Sequence, residues 1–240
     1  MEVLYGFNAI IEALDAGRRE FKEIIVSRER YDEILYKARG IPIVRATSKD
    51  LDRISGTRSH QGVVARVSSY AYAGLEDVAP TGVVLVADTV EDPQNLGSMV
   101  RSAYALAGSG IVIAERRCAS ITPAVVKASA GATEHARIAK VKNLARAMDK
   151  LKEWGFWLVG LDASVDTTIQ EVPTLEKIAI VIGGEATGLR PRVMKKLDVV
   201  VSIPMRRRFN SLNVSHSAAI GLYELVVRRK GGIDPEFKGG

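Results

Sequence analysis

The sequence predicts an α/β fold built on a parallel sheet, and three observations predict it. Short runs of wholly apolar residues, such as Val83–Ala87 and Ile178–Ile182, alternate with segments of helical spacing. A strand without polar alternation is one covered on both faces, which is the habit of parallel sheets between helices. The segments that follow three of these strands are rich in Gly, Pro, Asn and Ser and do not read as simple connections.

The elements follow in order. Residues 7–16 carry helical spacing and stop at Gly17. Glu23–Val26 reads as a strand, 29–39 as a helix ending at Gly40, and Ile41–Val44 as an edge strand because of its Pro. A short helix begins at Ser48, and Gly62–Val67 alternates as a strand. Residues 1–68 thus form a small α/β unit, and the small, polar, turn-rich stretch 69–81 is placed as a linker. The second unit, 82–240, begins with the strand Val83–Ala87 and a helix over 96–107. Ile111–Ala114 is a strand, and helical stretches follow near 122–130 and 143–153. Phe156–Leu161, Ile178–Ile182 and Val199–Ile203 are strands, and 214–229 is the last helix.

Composition narrows the function classes. The chain has 240 residues, 47% of them apolar, enough for a substantial core and against global disorder. Its formal net charge of +6 favours an anionic partner, although a merely basic soluble protein would look the same. One cysteine, Cys118, excludes an internal disulfide. His60, His135, His216 and Cys118 have no ligand spacing, so no metal site is expected. No apolar run approaches the roughly 18 residues of a membrane span, and the N-terminus does not resemble a signal peptide, so the expected location is the cytoplasm.

Ligands of parallel sheets bind beyond the carboxyl ends of the strands, where all three unusual loops lie. The first is Asp88–Ser98. Its Asn95 reads either as a helix N-cap or as a functional amide. Arg101 lies in the following helix, flanked by Met99, Val100, Ala103 and Tyr104, which favours an anion-meeting role over a solvated one. The second is Gly183–Gly188, where paired Gly lets backbone approach a ligand. Glu185 there is equally consistent with a first-turn acid favoured by the helix dipole. No Lys-Ser/Thr follows Gly188 and no G-x-G-x-x-G follows a strand, against the common nucleotide folds. The third is Pro204–Ser215. Arg206, Arg207 and Arg208 beside Phe209 suit phosphate contact with base stacking, although an exposed basic loop is the plainer alternative. A Ser-x-Asn-x-Ser stretch, Ser211–Ser215, then leads into the apolar last helix.

With these loops in place, the chain resembles the SpoU (TrmH) family of RNA ribose 2′-O-methyltransferases. Asn95-Leu96-Gly97-Ser98-Met99-Val100-Arg101 is similar to the family's first motif, and Gly183–Leu189 to its second. Ile203-Pro204-Met205 with Ser211–Ser215 is similar to its third. Tyr5–Ala9 and His60–Val63 resemble its N-terminal substrate-binding module. The resemblance implies a parallel sheet with a C-terminal trefoil knot, S-adenosylmethionine as cofactor and a homodimer. It implies that Arg101 activates the ribose hydroxyl, oriented by Asn95, Ser211 and Asn213, with Glu185 paired to Arg101 or its neighbours. Gly183, Gly184, Ile203, Met205 and Leu212 would hold the cofactor, and Arg206–Phe209 the RNA. Where the family often has Gly, two residues after the motif-three Met, this chain has Arg207. A two-domain chain of this size is more similar to the enzymes of large-subunit ribosomal RNA guanosines than to those of tRNA. The competing readings are a tRNA methyltransferase, a non-catalytic RNA-binding homologue and a methyltransferase acting on a base nitrogen. A serine hydrolase using Ser211 and His216 lacks the G-x-S-x-G elbow.

Overall fold

The computed structural model describes residues 1–27, 32–207 and 211–228. A four-stranded sheet is formed by β1 (Glu2–Tyr5), β2 (Phe21–Val26), β3 (Ile43–Arg45) and β4 (Val63–Val67), in the order β1-β4-β2-β3. Only the β2–β3 pair is parallel. Helices α1 (Phe7–Ala16), α2 (Asp32–Lys37) and α3 (Ser48–Ser55) complete this unit. Helix α3 is fixed by a capping box, in which Thr47 and Asp50 each satisfy the other's backbone N–H. The expected helix at 29–39 is described from Asp32 to Lys37, and residues 28–31 lie outside the described residues. Strand β1 has no counterpart in the sequence reading. Its four residues are too few to establish alternation, and pairing with β4 makes it a strand.

The stretch 69–81, expected as a linker, carries structure of its own. Ala73 bridges to Ala139, helix α4 spans Leu75–Val78, and a 3₁₀ turn, Ala79–Thr81, feeds the next strand. Val78 is fully buried. Leu75 and Val78, one helical turn apart, give α4 an apolar face against the larger sheet.

That sheet contains β5 (Val83–Ala87), β6 (Gly110–Ala114), β7 (Ile138–Val141), β8 (Trp157–Leu161), β9 (Ile178–Ile182) and β10 (Val199–Val201). All its pairings are parallel, in the order β10-β8-β9-β5-β6-β7. Its helices are α5 (Pro93–Ala107), α6 (Pro123–Ala128), α7 (Ala132–His135), α8 (Leu144–Glu153), α9 (Pro191–Met194) and α10 (Val214–Leu222), the last continuing as a π turn, Tyr223–Val227. Alternate residues of β5 enter two separate cores. Val83, Leu85 and Ala87 pack with α5 and α10, whereas Val84 and Val86 pack with α8 and α9. Strand β7 was missed because Lys140 interrupts its apolar pattern. Its two buried residues, Ile138 and Ala139, enter opposite cores, too short an apolar run to mark a strand. The first of the two cores runs without a break into Leu4, Ile10 and Ile24 of the N-terminal sheet.

Parallel pairing sends the carboxyl ends of β10, β8, β9 and β5 to one edge of the sheet in that order, so their loops share one rim.

Candidate active site

The rim holds a cavity of about 450 Å³, within the size range of small-ligand sites. Ile182–Glu185 and Gly188 after β9 form one wall. Ile203, Met205 and Ser211–Val214 after β10 form another, and Leu161–Ser164 after β8 closes the third. Gly183, Gly184, Ile203, Met205 and Leu212, the expected cofactor residues, therefore line one cavity, together with Glu185, Ser211 and Asn213.

The glycines are required by close backbone approach. A Cβ on Gly183 would lie 2.1 Å from the carbonyl carbon of Gly188, and one on Gly184 would lie 2.0 Å from the carbonyl oxygen of Thr89. Gly188 N–H donates to the Gly184 carbonyl at 2.9 Å and closes the loop on itself. The result is a wall made of backbone, whose N–H and C=O groups can read the edge of a ligand.

Asn95 is not the helix cap. Asp92 caps α5, its carboxylate accepting from Gln94 N–H at 3.0 Å, and Pro93 fills the first helical position. This leaves the Asn95 amide free to join the loops. Its Nδ2 donates to Glu185 Oε1, and its Oδ1 accepts from Asn213 Nδ2 at 3.0 Å. Asn213 in turn caps α10, accepting from Ser215 N–H at 2.9 Å and from Ser215 Oγ at 2.7 Å. A single chain of hydrogen bonds thus runs from Glu185 through Asn95 and Asn213 to Ser215. Glu185 is paired with Asn95 rather than with Arg101. Arg101 is exposed on α5 and makes no ion pair among the described residues. Arg206 and Arg207 are exposed on the rim beyond Met205, and Arg208 and Phe209 lie outside the described residues.

Sequence reasoning missed the third wall. Asp162 Oδ1 accepts from Ser164 N–H at 2.9 Å and Ser164 Oγ at 2.6 Å, and Ser217 of α10 also lines the cavity. The signal was present, since Asp162–Ser164 follows an apolar strand as the other loops do. Cys118 is half-buried, and burial raises its thiol pKa to about 11, which leaves it protonated and unreactive at neutral pH. No cluster of His, Cys, Asp and Glu among the described residues could hold a metal ion. No helix among them is long and apolar enough to cross a membrane.

Known proteins resemble this chain in sequence and fold. Residues 82–223 match the SpoU rRNA methylase family, and residues 3–73 match the RNA 2′-O ribose methyltransferase substrate-binding family. A Bacillus subtilis protein assigned by name to the TrmH family of tRNA/rRNA methyltransferases is 39% identical, over 95% of this chain and 96% of its own length. An uncharacterized tRNA/rRNA methyltransferase of Synechocystis is 37% identical over 95% of this chain, which spans 63% of that longer protein. The SpoU methyltransferase AviRb of Streptomyces viridochromogenes, solved in complex with AdoMet, superposes with a TM-score of 0.81 at 26% identity, covering 96% of this chain and 91% of its own. With family models matched over residues 3–73 and 82–223 and the loops gathered round one cavity, the chain belongs to the SpoU rRNA methylase family.

Proposed function

We propose that this protein transfers a methyl group from S-adenosylmethionine to a ribose 2′-hydroxyl of structured RNA. The observation that carries the reading is the Glu185–Asn95–Asn213 chain, which ties the three motif loops round the cavity. The cavity suits the cofactor chemically. Leu161, Ile182, Ile203, Leu212 and Val214 offer apolar surface for an adenine ring. Asp162, Ser164, Ser217 and the loop amides offer hydrogen bonds for ribose and amino-acid groups. When bound, S-adenosylmethionine supplies a methyl group already activated on a sulfonium.

The residues of this chain do the remaining work. Arg101, exposed on α5, binds the target phosphate and stabilises the alkoxide character that develops as the hydroxyl loses its proton. An RNA phosphate oxygen or solvent takes that proton, because a guanidinium rarely acts as a base. Asn95, Ser211 and Asn213 set the angle of approach, and the order imposed by the Asn95–Asn213 hydrogen bond is the positional contribution to rate. Arg206, Arg207, Arg208 and Phe209 bind RNA.

Family membership and the matched substrate-binding module support a ribose target, and the docked N-terminal unit supports a structured RNA. Within that class we favour a guanosine of large-subunit ribosomal RNA over tRNA. The domain division at 69–81, a trefoil knot through the motif-three loop, a cytoplasmic location and a homodimer complete the reading. Exposed Tyr104 on α5 and Tyr223 just beyond α10, two helices packed on each other, favour a second copy there.

The test is transfer of labelled methyl from S-adenosylmethionine to total RNA lacking the modification, with nuclease mapping of the product. One labelled 2′-O-methylguanosine in large-subunit RNA is expected. Label in tRNA would overturn the substrate, and label on a base would overturn the ribose assignment. Arg101→Ala is expected to abolish transfer while cofactor binding persists. Near-normal turnover of that variant would refute its role.

A further inference from the structure

The cavity is bordered by an ion pair that the proposed chemistry does not use. Asp88, the first residue after β5, is entirely shielded from solvent. Its Oδ1 accepts from Arg190 Nε at 2.7 Å and lies 2.5 Å from Arg190 Nη2, while Oδ2 accepts from Arg190 backbone N–H at 3.2 Å. A carboxylate is costly to bury, and apolar residues of similar size would hold the core as well. What the pair adds is direction. A fork on one oxygen and a backbone N–H on the other fix both the side chain and the main chain of Arg190.

Arg190 ends the loop whose residues Gly183, Gly184, Glu185 and Gly188 border the cavity. The next residue after Asp88 grips the middle of the same loop. Thr89 Oγ1 accepts from Gly184 N–H at 3.2 Å, and the Thr89 carbonyl fills the place of a Gly184 Cβ. Thr89 does this at φ 61, a left-handed conformation that a β-branched residue adopts only under constraint. The exits of β5 and β9 are therefore stapled twice, at 184 and at 190, with Glu185 and Gly188 of the cavity wall between the staples.

We propose that the Asp88–Arg190 pair is a latch setting the backbone of the cofactor loop, which makes both residues positioning residues for S-adenosylmethionine binding. This rests on the methyltransferase reading above. The glycine wall offers a ligand backbone groups, so on the methyltransferase reading a loop whose end drifts loses several contacts together, and a shift of about 1 Å can cost on the order of 10²-fold.

The experiment is calorimetric titration of S-adenosylmethionine into the wild-type chain and its Arg190→Lys, Arg190→Ala and Asp88→Asn variants. RNA affinity and melting temperature are measured beside it. Lys196→Ala, which breaks an exposed pair with Asp149, is the control. Arg190→Ala is expected to weaken cofactor binding about 10- to 100-fold with RNA affinity unchanged. Arg190→Lys should fall between, since an ammonium keeps the charge and loses the fork. Should Asp88→Asn fail to fold, the Arg190 variants still decide the question, because that side chain is one-third exposed. Wild-type cofactor affinity in both Arg190 variants, with only a lowered melting temperature, would make the pair purely structural and overturn the latch. Failure of the wild-type chain itself to bind would overturn the methyltransferase reading, and the latch with it.

Discussion

Asn95 illustrates how little a residue's type decides by itself. Its place near a helix start fits a cap, yet Asp92 is the cap because Pro93 already occupies the first helical position and Asp92 Oδ1 reaches Gln94 N–H. The amide so released holds Glu185 and Asn213 together. Asn95→Ala is expected to reduce turnover about 10²-fold, as loss of one oriented donor does elsewhere. Each of the two lost hydrogen bonds would cost stability only about 1 kcal/mol. Single-turnover kinetics beside a thermal melt checks both; equal turnover would remove Asn95 from the site. Arg101 is the opposite case. Charge within an otherwise apolar stretch marked it out, and it stands exposed and free of ion pairs among the described residues.

At the level of elements, loops recorded their purpose more plainly than strands. Gly183-Gly184 could be read as a backbone-approach site because no side chain fits where two main chains nearly touch. Gly184→Ala would drive a Cβ into the Thr89 carbonyl at 2.0 Å, with no flexible side chain able to yield. That strain is expected to cost about 1–3 kcal/mol of stability and to abolish cofactor binding, measured by melting and titration. Unchanged binding would mean that the loop is not the cofactor wall. Strands β1 and β7 escaped the sequence reading because β1 is too short to show alternation and Lys140 interrupts the apolar run of β7, so each is recognised only by the neighbour it pairs with. The helix α4 inside the expected linker escaped because turn-forming neighbours masked its two apolar contacts.

At the scale of the whole molecule, a buried ion pair joins the two sheets' surroundings. Arg19, just before β2, is bidentate to Glu134 of α7 at 2.8 and 2.9 Å, contacts Glu2 and Ser68, and stacks on Tyr70. Burial would lower the Arg19 pKa, but Glu134 and Glu2 outweigh it and raise it. Tyr70, in the same junction, is raised by burial, so its hydroxyl stays protonated and donates to the Thr133 carbonyl. Glu134→Ala strands a buried guanidinium and is expected to cost about 3–5 kcal/mol of unfolding free energy, read by denaturant titration. A loss below about 1 kcal/mol, the range of exposed pairs, would show that the junction is hydrated in solution.

The sequence by itself determined the parallel α/β class, the position of the three loops at strand ends and the family to which they belong, because apolar periodicity and loop chemistry are local. Only the tertiary structure decided that Glu185 meets Asn95 instead of Arg101, that Asp162–Ser164 closes the cavity and that Asp88 is locked to Arg190. Those partners are separated by 90 or more residues in two of the three cases, and their meeting depends on strand order, which no local pattern records.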